Sequence, residues 1–326
     1  MGIILEEEQK GFTIIEVMLF LALSGFLLVG ILAGTGSSIA NQRYKDAVQD
    51  AADALRKAYS FVADTEISTR DKNESVCKYK DLDSSEAGRG RSSCAVYGAV
   101  VVINRDTIQT TTLIGKDYYD MLVGVDHKES GWDDSDYTKI HQSSATDLDI
   151  LNVLEANNLA RLCSDDTGIN CTTAVAGHQT TQKLKWGAIF KKPNSGEEKN
   201  QDLALTLLIY RSPRDGSIRT LVYDDVLRDE LNNPINYDSI DANADPKKLG
   251  VFRYIKQNED GTNNDKFSQK NVFFCIDSGG GDSYADHARI IRIVKNAHSQ
   301  SGIKLEDLDA EIKNPDTGEP VSCDKE

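Results

Sequence analysis

The sequence predicts an α+β protein. One long N-terminal helix, first membrane-embedded and then amphipathic, packs against an antiparallel β-sheet head with an inserted helical and loop region. Three observations predict it. From Phe12 to Gly34 run 23 residues of which only Glu16 is ionisable. Apolar residues then recur at spacings near three and four as far as Val62. Beyond Cys94, β-branched runs alternate with turn residues. The implied divisions are a leader over residues 1–11, a helix over 12–66 that is apolar to 34, and a head over 67–326 with an insertion at 115–180.

The apolar run is long enough, at about 1.5 Å per residue, to cross a hydrocarbon core of about 30 Å. A carboxylate in lipid is costly and needs a partner. The candidate at comparable depth is an α-amino group, which exists only if the chain is cut between Gly11 and Phe12. Lys10-Gly11-Phe12-Thr13-Ile14-Ile15-Glu16 closely resembles the signal of type IV prepilins and type II secretion pseudopilins. The resemblance covers Lys10 to about Ile39. It implies a peptidase that cuts after Gly11 and methylates Phe12, and assembly in which Glu16 meets a neighbour's Phe12 ammonium. Thr13 belongs to the same motif. The partners implied are other pilin subunits, the prepilin peptidase, the assembly machinery and, before assembly, the inner membrane. The same family implies a single-pass protein with its N-terminus inside, displayed afterwards on an extracellular pilus. The head is large for a major pilin, which points to a minor subunit. A secretion pseudopilin and a membrane-tethered adhesin are the alternatives, and DNA or a host surface are conceivable ligands of the filament. Glu16 snorkelling in an uncut anchor is the simpler account of the carboxylate.

Gly30 and Gly34 form a GxxxG face suited to close helix packing. After Thr35-Gly36-Ser37-Ser38, residues Ile39, Tyr44, Val48, Ala51, Ala52, Leu55, Tyr59 and Val62 define a buried stripe. Arg43, Lys45, Asp46, Asp50, Asp53, Arg56 and Lys57 define a solvated one. The helix is expected to end near Thr65.

The head opens with a polar loop, Asp71–Ser93. A hairpin follows, Ala95–Ile103 and Thr107–Ile114 about Asn104-Arg105-Asp106. In the insertion, Thr146-Asp147-Leu148 starts a helix with Leu148, Leu151, Leu154, Leu159 and Leu162 on one face, ending near Cys163. Trp186–Phe190 and Leu203–Tyr210 resume the sheet. Ser212-Pro213-Arg214-Asp215-Gly216 turns into a strand at Ser217–Tyr223. Asp224–Leu231 is expected as a short helix, and Val251–Lys256 and Asn271–Asp277 as strands; Ala288–Lys295 is taken as a strand for its isoleucines, although Arg289, Arg292 and Lys295 at spacing three would also line one helix face. From Ser301 the tail is polar.

Composition narrows the functional classes. Hydrophobic residues are 39% and charged residues 27%, which suits a soluble head on one membrane helix. The net charge is −15, and a chain starting at Phe12 keeps about −13 from its side chains. That balance opposes a mainly electrostatic nucleic-acid binder. Arg211, Arg214 and Arg219 could still make a local basic patch on one hairpin. Cys77, Cys94, Cys163, Cys171, Cys275 and Cys323 contain no CxxC pair and fit an exported disulfide-bonded head. Nearest-neighbour pairing, Cys77–Cys94, Cys163–Cys171 and Cys275–Cys323, is the simplest of 15 arrangements.

No catalytic constellation stands out, so the expectation is not an enzyme. The five histidines have no metal-ligand spacing. Ser283 and His287 crowd one short loop. Asp277, Asp282 and Asp286 flank Gly279-Gly280-Gly281 and carry the oxygens that calcium needs. Some pilin-like heads bind calcium; solvated loop acids are the simpler account.

Overall fold

The structure is a computed structural model that describes residues 13–63, 94–116, 146–156, 160–162, 179–193, 201–225, 268–277, 289–307 and 312–323. The chain divides into two compact units at Asp46/Ala47. The first holds helix α1 (Ile14–Ala63) as far as Asp46, and the second holds the rest of α1 and the head.

Within the second unit, Ala47, Val48, Ala51, Ala52, Leu55, Ala58, Tyr59 and Val62 are fully buried, while Asp53 and Lys57 face solvent. The stripe follows from the three-and-four spacing, and its small residues let the helix lie close to its support. Polar bonds identify that support. Tyr59 Oη lies 2.8 Å from Thr220 Oγ1, the Gln182 amide donates to the Asp50 carbonyl at 3.3 Å, and Arg211 reaches the Val62 carbonyl at 2.9 Å. All three partners belong to one sheet.

That sheet has six strands in the order β3-β2-β1-β6-β7, with β4 also on β2. The strands are β1 (Cys94–Asn104), β2 (Thr107–Lys116), β3 (Ala160–Leu162), β4 (Gln179–Lys183), β6 (Ala204–Arg211) and β7 (Ile218–Tyr223). The expected β1–β2 hairpin forms, but Asn104 pairs with Thr107, so the connection is the two residues Arg105, at φ 52°, and Asp106. Gly98 lies at a register shift in β1, where an added Cβ would come within 2.5 Å of the Ile209 carbonyl oxygen. Only glycine lets β6 approach this closely.

The second sheet has the order β10-β9-β8-β5, from β5 (Ile189–Lys191), β8 (Val272–Asp277), β9 (Arg289–Ile293) and β10 (Ile303–Asp307). β5 is the seam between the sheets. It pairs with β8, while Leu203 N–H donates to the Phe190 carbonyl and Lys192 N–H to that of Gln201. Phe190 and Phe274 meet edge to face at 5.5 Å. The C-terminal segment 312–323 folds over β8. Val321 joins Phe273 and Ile290, Asp316 accepts from the Asn271 backbone and side chain, and Cys323 is bonded to Cys275.

Several expectations change. The insertion helix, α2 (Asp147–Ala156), stops before Leu159 and Leu162. Leu162 instead pairs with Leu113 in the β2–β3 ladder. Within the expected insertion β3 pairs with β2, and β4, which begins at its end, pairs with β2 as well. The strand expected from Trp186 starts only at Ile189, because Lys185–Gly187 is a 3₁₀ turn with Trp186 at φ 62°. The polar tail hides β10, whose Lys304 and Glu306 alternate with Ile303 and Leu305 along a ladder with β9. Val251–Lys256, residues 226–231 and all of Asp71–Ser93 lie outside the described residues, as do Lys10, Gly11, Phe12, Cys77, Cys163 and Cys171.

Candidate functional site: the apolar helix

The helix begins at Ile14 because Thr13 caps it. The Glu16 N–H donates to Thr13 Oγ1 at 3.3 Å and to the Thr13 carbonyl at 3.0 Å. Thr-x-x-Glu is the pattern of a capping box, and a carboxylate in the first turn complements the positive end of the helix dipole. Glu16 is exposed on this first turn.

Beyond it, apolar side chains are exposed all round, from Ile14 at 79% through Phe26 at 85% to Leu32. The most apolar window has a mean hydropathy of 2.5 and none of it is buried. Ile14–Ala63 is therefore long and apolar enough to cross a membrane. Burying a single such side chain is worth roughly 1.5–3 kcal/mol, so the whole surface amounts to tens of kcal/mol.

The polar residues in this stretch make no demand on solvent. Ser24 Oγ donates to the Phe20 carbonyl at 2.7 Å, and Thr35 Oγ1 donates to that of Ile31 at 2.9 Å. Such bonds to the preceding turn satisfy hydroxyls where water is absent. A Cβ added at Gly25, Gly30, Gly34 or Gly36 would meet nothing within 4 Å. Among the described residues no packing requires these glycines; they leave shallow ground for another surface.

The head's candidates resolve differently. Two of the three arginines of the expected basic patch are engaged within the head. Arg211 donates to the carbonyls of Val62 and Ala63, the last turn of α1, and burial lowers its pKa. It is a C-terminal cap, where the helix dipole favours a cation. Arg219 pairs with Asp147 at 3.4 Å and Asp215 at 3.7 Å. Asp215 itself is pulled down to about 2, first by its hydrogen bond from Ser217, which closes the Ser212–Ser217 turn. The capping role of Arg211 had no local signal, because its acceptors belong to a distant part of the chain.

Asp277 ends β8, and Asp282 and Asp286 lie outside the described residues. Among the described residues no group of three or more His, Cys, Asp or Glu is placed to hold a metal. His298 is exposed. A cleft of about 450 Å³ opens between Leu205, Lys270, Phe273, Asp316 and Pro320. Two of its three acids are engaged, Asp224 with Lys270 and Asp316 with Asn271. The bonds from Asn271, first from its backbone, hold the Asp316 carboxyl below the usual range.

Comparison with protein-family models, with curated proteins and with solved structures returns no match.

Proposed function

We propose that the chain is a structural subunit of a type IV pilus or related filament, assembled through its N-terminal helix after cleavage between Gly11 and Phe12. The observation that carries this reading is the fully exposed apolar helix with one carboxylate in its first turn. An anchor needs the apolar length alone. A subunit also needs a group that recognises its neighbour, and Glu16 is suited to the ammonium that cleavage creates at Phe12. In low dielectric their attraction offsets a desolvation cost of several kcal/mol per ion. Gly30 and Gly34 let helices approach closely. The head, exported and disulfide-bonded, is displayed outside, and a minor-subunit role suits its size.

Mass spectrometry of the mature N-terminus tests the reading. A chain beginning at methylated Phe12 is expected. A protein that keeps Met1 or Gly2 would be a tethered head, and the filament reading would fall.

A further inference from the structure

On one edge, β8 runs past the end of its partner β5. The polar backbone groups of successive residues in a strand turn to opposite edges. The Val294 N–H donates to the Gly302 carbonyl, and this sets the alternation of the β9–β10 ladder. Carried through the register of β9 on β8, it turns Val272 and Phe274 toward β9. Asn271, Phe273 and Cys275 therefore turn the other way. Cys275 meets Lys191 there, at the last pair of the β5–β8 ladder, and the Asn271 N–H donates to the Asp316 carboxylate. Between these two, the N–H and C=O of Phe273 have no partner among the described residues. The cause lies in the sequence of β5 beyond its end. The same register brings Pro193 opposite Phe273, and proline has no N–H to give.

Phe273 is only 7% exposed, so its backbone groups are not simply open surface, and buried groups of this kind call for a partner. Pro193, Val272 and Phe273 all line the cleft of about 450 Å³, a volume in the range of ligand clefts. Leu205 and Val321 add apolar walls. Lys192 and Glu319 line it too, and neither side chain is in an ion pair among the described residues.

We propose that this cleft binds an extended segment of a partner polypeptide, which adds to β8 at Phe273 as a short strand. An unpaired N–H and C=O on a strand edge recognise main chain. The apolar walls take an apolar side chain, while Lys192 selects an acidic neighbour and Glu319 a basic one. A cleft of this volume admits a single chain and not a strand that brings its own sheet. The occupant is therefore a linear segment of a partner protein rather than the sheet edge of a second copy. All the elements involved belong to the head, so the site stands apart from the filament reading above.

Random heptapeptides displayed on phage, selected on the immobilised full chain in detergent, are the probe. Enrichment of sequences with one acidic and one basic residue about an apolar one is expected; no enrichment overturns the proposal. Lys192→Glu should weaken the best of these peptides by about tenfold and shift the selection from acid to base at that position. Peptides indifferent to the swap bind elsewhere and overturn it. Methylating the peptide's backbone nitrogens one at a time should cost about tenfold at alternate positions, because a strand added to one edge pairs through every second residue. Uniform tolerance overturns the added strand. If Lys192→Glu lowers the unfolding midpoint, Glu319→Lys, on an exposed residue, decides by the same swap at the basic position.

Discussion

Glu16 is the one ionisable side chain between Phe12 and Gly34, and the backbone around it is secured by Thr13 rather than by its own carboxylate. Glu16→Ala therefore keeps the bonds from the residue 16 N–H to Thr13 while removing the carboxylate. It is expected to block filament incorporation while membrane insertion persists; wild-type pilus content in the mutant would rule out the carboxylate–ammonium mechanism. Tyr59 gives a second test at this scale. Its hydroxyl is fully buried, and since Thr220 Oγ1 donates to the Ala297 carbonyl, Tyr59 is the donor to Thr220. Burial pushes the Tyr59 hydroxyl up to about 12. A group raised in the folded state contributes its stability in full below its unfolded pKa, near 10, and loses it as pH rises through 12. The shift corresponds to roughly 2–3 kcal/mol. Urea titrations across pH 9 to 12 should show wild-type stability falling in that window, with a flatter profile for Tyr59→Phe. Equal slopes would remove Tyr59 from the alkaline transition.

Among the elements, the C-terminal segment is held to β8 by the Cys275–Cys323 bond, the Asp316–Asn271 bonds and the burial of Val321. The disulfide closes 48 residues of chain, so its loss is expected to cost roughly 2–5 kcal/mol. Cys275→Ser should lower the urea midpoint accordingly and expose segment 312–323 to protease first; an unchanged midpoint would mean the other contacts suffice. Elements differ in how far the sequence discloses them. α1 and the β1–β2 hairpin carry long, regular patterns. β3 and β4 are short, and Gln179-Thr180-Thr181-Gln182-Lys183 has no apolar alternation at all. These strands exist because β2 offers a free edge, which is a property of the assembled sheet. Likewise Arg211 reads as a surface charge until folding brings the end of α1 beside it.

For the whole molecule, an apolar helix that none of the described residues covers and a well-packed head impose opposite solvent demands. The full chain is expected to stay dispersed in detergent and to associate into sedimenting particles when detergent is withdrawn. A monomer that persists in buffer would show that the chain covers its own helix. What the sequence disclosed at this level was the long apolar helix, because a run of 23 residues with one ionisable group is a local signal. The setting of Trp186 was not disclosed, since its exposure and backbone depend on Asp50 and Asp106, far away in sequence.

The Arg211 cap and the Tyr59–Thr220 link also have a mechanical meaning. Both grip the last turns of α1, at the end of the stripe that is buried from Ala47 to Val62. Tension entering along α1 cannot fray the helix from its C-terminal end without first breaking those bonds. The pull is instead shared by the whole buried stripe at once, as in a lap joint stressed in shear rather than peeled.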